Sequence, residues 1–305
     1  MDRRRRASST VDLRELECFL ALAEELHFGR AGERLYVSQS RVSQLLRRLE
    51  GRVGARLVDR TSRRVALTPL GERFLARLRP AYAALGAAVE DARDAARGIR
   101  GVLRVGFQGT ADAYVTGAVR TFRNSHPDCA IELVELPLSD PFGALRRGGC
   151  DAAIVLLPVR EPDLVLGPVF SRRPQTLAVS VRHPFARRAS LPAEDLADCP
   201  LVTVAGPAPA YWREAQSPSS TPAGRPIPPG PAVTTLQEGL TLTATGRAAM
   251  LLCRPTADYH GRHDIAHLPV SGLPPSALAL TWPRNTETAR LRAFADVLAE
   301  AAKDT

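Results

Sequence analysis

Long apolar segments are missing from this chain of 305 residues. No stretch approaches the roughly 18 apolar residues that a membrane-spanning helix needs. A secretory signal requires an apolar core after its basic start, and none follows MDRRRRASS. The sequence therefore predicts a cytoplasmic protein that has no membrane partner. With 45% hydrophobic and 24% charged residues, the chain has the composition of a globular protein and enough length for two or three domains.

Signatures of catalysis and of metal binding are also missing. The sequence contains no G-x-S-x-G element, no phosphate-binding loop and no cysteine beside a suitable base. His260, His263 and His267 have a spacing that suggests a zinc site. The surrounding YHGRHDIAH, however, is typical of an irregular loop that leads into a strand, where three rings do not share a face. We therefore expect no catalytic residue, no metal ion and no cofactor.

Acidic residues are absent from residues 38–49, SQSRVSQLLRRL. At about 100° per residue, the valine and the leucines of this stretch fall on one face of a helix, and Ser40, Gln44 and Arg47 fall on the opposite face. Charge is also uneven on a larger scale, because residues 1–100 carry 21 of the 41 basic residues but only 13 of the 32 acidic ones. This imbalance favours an N-terminal module that binds a polyanion, and a solvated basic face is the alternative.

Three short helices and two short strands are predicted before residue 69. Asp12, with Glu15 three residues later, forms a capping-box pattern at the start of the first helix, and Ser38 is placed to cap the third. A tight turn before the third helix is typical of a helix-turn-helix. Strand-like runs on either side of the basic turn DRTSRR predict a β-hairpin wing.

A long helix is predicted from Pro69 to about Arg97. Its apolar positions alternate in steps of four and three residues, so this stripe packs either on its own domain or against the same helix of a second chain. Pairing is favoured because the preceding domain is small for a helix about 40 Å long. The expected dimer contacts are Phe74, Leu78, Leu85 and Val89.

From residue 101 onward, strands and helices alternate, which predicts an α/β domain with a mostly parallel sheet. Residues 206–231 contain eight prolines among Gly, Ser and Ala. This composition predicts an extended loop with little regular structure.

The N-terminal part resembles the LysR-type transcriptional regulators. The resemblance rests on L-x-V-S-Q-x-x-V-S-x-x-x-x-x-L-E followed by R-x-x-R-x-V-x-L-T-P-x-G, and it continues more loosely at FRNSHPDCAIELVE, LRRGGCDAAIV and GLTLTATGRAAML. One departure is Gly32, where the family usually has alanine. A glycine inside a helix costs about 1 kcal/mol unless close backbone packing requires it.

The resemblance implies a fold that is α/β overall. We expect a winged helix-turn-helix at 1–68, a linker helix at 69–98 and a two-lobed effector-binding domain at 99–305 that resembles periplasmic binding proteins. Lobe I is expected at about 99–170 plus 268–305, and lobe II at about 171–267. The resemblance also implies a homodimer through the linker helix and a homotetramer built from such dimers.

The third helix is then expected in the major groove of double-stranded promoter DNA, where hydroxyls, amides and guanidiniums read base edges or hold phosphates. Wing arginines are expected at phosphates or in the minor groove. Ser38 either contacts DNA or only caps its helix, and Arg60 either contacts DNA or pairs with Asp59 or Glu33. The expected DNA-contact residues are Arg30, Ser38, Gln39, Ser40, Arg41, Ser43, Gln44, Arg47, Arg60, Arg63 and Arg64.

In the family, a small-molecule effector lies between the lobes, at strand ends and helix N-termini. The corresponding positions in this chain are Gln108, Gly109, Thr110, Ser139, Pro158, Thr203 and Thr245. Helix N-termini bind anions, which favours a small carboxylate. No arginine stands at these positions, however, so an uncharged or aromatic ligand, or none, remains open. Hydroxyls at helix starts also serve merely as caps.

Two alternatives compete with a ligand-responsive regulator. An α/β-domain enzyme tethered to DNA is disfavoured by the missing catalytic signatures, and an effector-independent architectural DNA binder by the base-reading pattern of the third helix. Some family members sense peroxide with two nearby cysteines. The five cysteines here form no C-x-x-C pair, which favours reduced thiols. They are Cys18, Cys129, Cys150, Cys199 and Cys253.

Overall fold

The computed structural model describes residues 12–60 and 65–303. The chain divides into two compact units, with the boundary between Leu85 and Gly86 inside the long helix. Unit 1 lies before this boundary and unit 2 after it. Among the described residues, no helix combines the length and the apolar character that crossing a membrane requires.

Three helices form the core of unit 1. They are α1 (Leu13–Glu25), α2 (Phe28–Arg34) and α3 (Gln39–Val53). Asp12 and Ser38 cap α1 and α3 with side-chain oxygens, because each accepts a hydrogen bond from a backbone N–H in the first turn. Glu15, expected to complete a capping box at α1, is instead buried and pairs with Arg52 at 2.9 Å. Its charge therefore joins α1 to the end of α3.

The substitution of glycine for alanine at Gly32 has a packing reason. A Cβ atom at this position would lie 2.7 Å from the carbonyl oxygen of Val37. The turn between α2 and α3 can therefore close tightly only because the residue has no side chain. This close approach offsets the cost of a glycine in a helix.

An antiparallel hairpin follows α3, as the sequence predicts. Its strands are β1 (Val58–Arg60) and β2 (Val65–Leu67), with Val58 opposite Leu67. The turn at 61–64, which carries the expected DNA contacts Arg63 and Arg64, lies outside the described residues.

The long helix α4 (Pro69–Arg97) begins at the capping hydroxyl of Thr68, which accepts from the backbone N–H of Gly71 at 2.9 Å. Phe74 and Leu78, expected at a dimer interface, instead pack into the core of unit 1, and the ring of Phe74 lies 5.3 Å from that of Phe19. This part of the expectation is wrong, because Leu78 is buried and Phe74 is partly buried within their own chain.

The second half of the stripe differs. Leu85 and Val89 are 46% and 45% exposed. A helical stripe in steps of four and three residues thus changes its role along one helix, from domain core to open apolar surface.

Lobe I of unit 2 is built on a five-stranded sheet with the order β4-β3-β5-β13-β6. Its strands are β3 (Gly101–Gln108), β4 (Cys129–Leu136), β5 (Ala152–Leu156), β6 (Leu164–Arg173) and β13 (Ser276–Pro283). The helices are α5 (Ala113–Ser125), α6 (Gly143–Arg147) and α10 (Ala289–Lys303). β3 runs parallel to β4 and β5, whereas β13 is antiparallel to β5 and β6. The sheet is therefore mixed rather than mostly parallel, because β13 returns to it from lobe II.

Lobe II contains a four-stranded sheet with the order β11-β7-β12-β8 and a parallel pair of β9 and β10. Its strands are β7 (Thr176–Ser180), β8 (Leu191–Pro192), β9 (Leu201–Val204), β10 (Pro229–Val233), β11 (Met250–Leu252) and β12 (Ile265–Ser271). The helices are α7 (Ala210–Gln216), α8 (Leu236–Ala244) and α9 (Arg254–Tyr259).

The chain changes lobes later than expected at both crossings. Phe170 is buried in lobe I on β6, so the chain leaves that lobe only after Arg173. Leu268 is buried in lobe II on β12, and the return follows Ser271. The crossings thus lie at 174–175 and 272–275, rather than near 170 and 268.

The proline-rich segment 206–231 is more regular than its composition suggests. It contains α7 and the first part of β10. Pro209 stands just before α7, where a proline favours a helix start, and Trp212 is fully buried. A buried tryptophan fixes this segment against the core, so the expectation of an extended loop is wrong.

Candidate functional site

The polar face of α3 is open to solvent. Ser40, Gln44 and Arg47 are exposed, whereas the apolar residues of the opposite face are buried in the core of unit 1. Ser38 caps the helix by accepting from the backbone N–H of Arg41 at 3.3 Å, and its hydroxyl also lies 2.9 Å from that of Ser40. The remaining expected contacts on this helix are Gln39, which is exposed, and Arg41 and Ser43, which are partly buried.

Basic residues near this face fall into two groups. Arg30, Arg34 and Arg52 each pair with a glutamate of α1. Arg47, by contrast, bonds only the backbone carbonyl of Ser43, at 3.2 Å, and makes no ion pair within the described parts of the chain. The charge of Arg47 is therefore left available for an external anion, while that of the expected contact Arg30 is partly neutralised.

Both strands of the wing are described, but the turn between them is not. The backbone of Arg60 ends β1, but its side chain is outside the description, as are Arg63 and Arg64. The expected contacts of these three arginines, and the alternative pairing of Arg60 with Asp59 or Glu33, therefore stay predictions.

A cavity of about 620 Å³, partly open to solvent, lies between lobes I and II. The part of its wall that comes from lobe I and the two crossings is Gln108, Gly109, Leu138, Leu156, Gln175 and Ser276. The part from lobe II is Val202, Val204, Trp212, Gln216, Leu236, Met250, Leu251, Leu252, Cys253 and Thr256.

Gln108, the last residue of β3, is 4% exposed and faces this cavity. Its Oε1 accepts from the backbone N–H of Leu156 at 3.4 Å. Its Nε2 is buried and has no hydrogen-bond partner in the described structure. An unpaired buried donor costs free energy unless a ligand or water satisfies it.

Three other polar side chains of the wall each donate a hydrogen bond to a backbone carbonyl. Trp212 Nε1 donates to the carbonyl of Leu156, and Gln216 Nε2 to that of Leu157, both at 2.9 Å. Gln175 Nε2 donates to the carbonyl of Pro274 at 3.1 Å. These bonds hold the side chains of the wall in place. Among the described residues, Gln108 is the wall residue whose polar group is left unpaired for a ligand.

Of the seven expected effector residues, the structure brings only Gln108 and Gly109 to the cavity wall. Thr110 is next in sequence, but its hydroxyl lies 2.9 Å from Nε2 of His260. Ser139 is buried and exchanges backbone hydrogen bonds with Thr234 and Ala208.

The remaining three expected residues are also occupied elsewhere. The hydroxyl of Thr203 donates to the carbonyl of Gly230 at 3.4 Å. The hydroxyl of Thr245 donates to carbonyls in the last turn of α8. Pro158 follows a cis peptide bond and is not part of the wall. Hydroxyls that satisfy local backbone groups are poor ligand contacts, because a ligand would have to replace those bonds.

Sequence reasoning missed the contribution of α7 and of the crossings. Trp212 and Gln216 lie in the segment expected to be irregular, Gln175 lies at the first crossing, and Ser276 begins β13 directly after the second. The signal available for α7 was the short run AYWREAQ, in which an aromatic residue stands among good helix formers.

Helix α7 also connects the lobes. Besides the bonds of Trp212 and Gln216 to lobe I, the hydroxyl of Tyr211 donates to Glu161 at 2.8 Å and accepts from the backbone N–H of Arg160 at 3.0 Å. Burial, the largest cause, and the bond to Glu161 raise the pKa of Tyr211 to about 12. Four hydrogen bonds from three side chains of one helix thus hold it to the 156–161 segment.

The thiols and the histidines form no evident reactive centre. All five cysteines are buried and free, and burial raises the pKa of Cys18, Cys150 and Cys199 to about 11. Thiolates, the reactive form, are therefore scarce at neutral pH. No group of three potential metal ligands occurs among the described residues, and His267 lies on β12 while His260 ends α9.

Two family models match the chain. Residues 13–72 match the bacterial regulatory helix-turn-helix protein of the lysR family, and residues 96–303, well over half of the chain, match the LysR substrate binding domain. The chain belongs to the LysR family. The described winged helix-turn-helix and the two lobes are thus the fold of this family, which confirms the fold class expected from the sequence.

Three known proteins illustrate the similarity to other LysR-family members. AlsR, a transcriptional regulator from Bacillus subtilis (strain 168), is 39% identical over 196 residues, which cover 64% of this chain and 65% of AlsR. A probable hydrogen peroxide-inducible genes activator from Mycobacterium xenopi is 35% identical over 178 residues, or 58% of this chain and 94% of that protein. A full-length OxyR variant from Pseudomonas aeruginosa superposes with a TM-score of 0.69 at 25% identity and covers 96% of this chain and 95% of that chain.

Proposed function

We propose that this LysR-family chain regulates transcription by binding promoter DNA through α3 and the wing, and that a small molecule in the interlobe cavity changes this binding. The observation that carries the proposal is the polar face of α3, where Ser40, Gln44 and Arg47 are exposed on a rigid helix whose other face is core. Relatives such as AlsR are named as transcriptional regulators, which supports the same role here.

Each group on this face suits a particular contact. Gln44 carries both a donor and an acceptor, which match the edge of adenine, and Arg47 can donate two hydrogen bonds to guanine. Ser40 can donate to a base or to a phosphate. Gln39, Arg41 and Ser43 lie beside them and are assigned to the phosphate backbone, together with Arg60, Arg63 and Arg64 of the wing.

Two of the proposed DNA contacts, Ser38 and Arg30, already have partners within the chain. Ser38 already serves as the cap of α3, so its hydroxyl approaches DNA only in addition to that role. Arg30 donates to Glu25 through Nε at 3.1 Å, so part of its charge is compensated. We assign Arg30 to a peripheral phosphate contact.

The proposed working form is a homodimer joined through the second half of α4, with a homotetramer built from such dimers. Support comes from the exposed apolar side chains of Leu85 and Val89. Unlike Phe74 and Leu78 earlier on the same stripe, these two side chains stay largely exposed in the described structure.

Peroxide sensing, the role in the name of the Mycobacterium xenopi relative, is not carried over. A thiol that senses peroxide must ionise and be accessible. All five thiols here are buried, and burial raises the pKa of each.

The test is to map the bound DNA across the genome and to measure affinity for the recovered operator and for a scrambled duplex. Gln44→Ala is expected to lower the preference for the operator, whereas Arg30→Ala, the matched control at a partly neutralised residue, is expected to weaken both duplexes slightly. Equal affinity of the unmodified chain for both duplexes contradicts sequence-specific regulation.

A further inference from the structure

The wall of the interlobe cavity carries no formal charge. Among the described residues that line it there is no Asp, Glu, Lys, Arg or His. An ionised ligand would leave water for an apolar wall that offers no opposite charge, and an unpaired buried ion costs several kcal/mol. The wall therefore favours an uncharged ligand.

Two helix N-termini near the cavity, those of α5 and α8, already hold carboxylates of the chain itself. Asp112 accepts from the backbone N–H of Val115 at the start of α5, at 3.0 Å. At the start of α8, Glu238 accepts from the backbone N–H groups of Thr234 and Thr235. These negative charges occupy the positive ends of the helices, so the feature that favoured a carboxylate ligand is already satisfied.

The orientation of the Gln108 amide is fixed by its neighbour. Because the backbone N–H of Leu156 is a donor, the atom facing it at 3.4 Å must be the acceptor Oε1. Nε2 therefore points away from Leu156, and it is buried with no partner in the described structure. Gln108 is 4% exposed and lines the cavity, so the described wall contains one buried amide donor that is left unsatisfied.

We propose that the cavity binds an uncharged, mainly apolar small molecule with one hydrogen-bond acceptor, such as a ketone or ester oxygen, placed against Nε2 of Gln108. This assignment rests on the proposed role of the cavity as the effector site. The acceptor satisfies the unpaired amide, and the rest of the ligand lies against Leu138, Val204, Trp212 and Met250 of the wall.

The test compares three small probes of similar shape on the full-length chain. Acetophenone is uncharged and has an acceptor, ethylbenzene lacks the acceptor, and benzoate carries a charge. Saturation-transfer NMR titrations give the Kd of each. We expect acetophenone to bind about fivefold more tightly than ethylbenzene, the effect of one net hydrogen bond, and at least about tenfold more tightly than benzoate.

Two substitutions locate the binding. In Gln108→Met, which keeps a side chain of similar length without a donor, the Kd of acetophenone should rise about fivefold while that of ethylbenzene stays within about twofold. Gln175→Met is the matched control, because it changes a glutamine of the same wall whose amide already donates to Pro274. It should leave the preference for acetophenone over ethylbenzene intact.

The outcomes separate the ligand class from the proposed function. If benzoate binds more tightly than acetophenone and Gln108→Met weakens the binding of benzoate, the proposed ligand class is wrong while the cavity remains the proposed effector site. If acetophenone and ethylbenzene bind equally, the acceptor role of the ligand is overturned, and this comparison needs no variant to fold. If no probe binds to a preparation that still binds its operator, the proposed ligand class is overturned while the proposed DNA binding stands.

Discussion

The face of α3 and the interlobe cavity use polar groups in opposite ways. On α3, hydroxyls, an amide and guanidiniums stand exposed and close together, and the acids of α1 neutralise the arginines beside the face rather than Arg47 itself. In the cavity, the polar side chains are bonded to the protein, and Gln108 alone among the described wall residues offers a buried donor without a partner. A long charged polymer and a small neutral molecule require these two kinds of surface, since one binds through many screened charges and the other through excluded water.

The largest expected difference between the two surfaces is the salt dependence of their binding affinities. With about six phosphates contacted, the affinity for operator DNA is expected to fall about 10³-fold between about 50 and about 200 mM salt, because bound counterions are released. The Kd of acetophenone should change by less than about twofold over the same range, since the cavity wall has no charge. Fluorescence anisotropy and NMR titrations measure the two on one preparation. A steep salt dependence of the probe would show that charge contributes to the cavity.

A charge placed at Leu78 should damage unit 1 and spare unit 2. Leu78 is 9% exposed in the core of unit 1, so Leu78→Asp is expected to destabilise that unit by about 3–5 kcal/mol. Chemical denaturation followed by circular dichroism should show an early transition for unit 1 and loss of operator binding.

Leu85→Asp is the matched control on the same helix. Because Leu85 is 46% exposed, the substitution should leave unit 1 folded and lower the sedimenting mass of the full-length chain. If Leu78→Asp lowers the mass with no loss of stability, Leu78 belongs to an interface after all.

Individual side chains on α3 should each contribute to the preference for the operator sequence. Gln44→Ala or Arg47→Ala is expected to cost roughly 1–3 kcal/mol on the operator and much less on a scrambled duplex. Arg63→Ala should weaken both duplexes equally and reduce the salt dependence. A uniform loss in all three variants would mean that the base-reading side chains lie elsewhere.

The smallest expected effect concerns Tyr211 and alkaline pH. Its pKa is raised from about 10 to about 12 in the folded chain. This contribution to stability is fully present below pH 10 and is lost as the pH rises through 12, because the unfolded tyrosine ionises first.

Tyr211→Phe should therefore make the free energy of unfolding of unit 2 fall less steeply between pH 10 and 12. It should also lower that free energy slightly at neutral pH, because a hydrogen bond to Glu161 is lost. Denaturation curves at several pH values measure both effects. An unchanged slope would show that Tyr211 titrates normally.

Local signals explain what the sequence predicts well. Ser38 and Thr68 cap the helices that follow them, and the strands of the wing pair across their basic turn, because caps and hairpins depend on neighbouring residues. The face of α3 follows from periodicity for the same reason.

Contacts between distant residues explain what the sequence does not predict. The stripe of α4 has the same spacing whether Leu78 meets its own domain or another chain, so periodicity does not distinguish the two. Thr203 and Thr245 were plausible ligand contacts by position, but backbone carbonyls already accept from their hydroxyls. Trp212 lies in a proline-rich segment whose composition hid a helix.

Helix α7 makes the size of the ligand and the closure of the two lobes inseparable. The same seven-residue helix supplies Trp212 to the cavity wall and joins lobe II to the 156–161 segment of lobe I through Tyr211, Trp212 and Gln216. A larger molecule that displaces α7 from the wall also breaks the bonds that this helix makes between the lobes. In evolutionary terms, a substitution in α7 that lets the cavity bind a different ligand also changes how readily the two lobes separate. Ligand specificity and the sensitivity of the response to the ligand therefore change together.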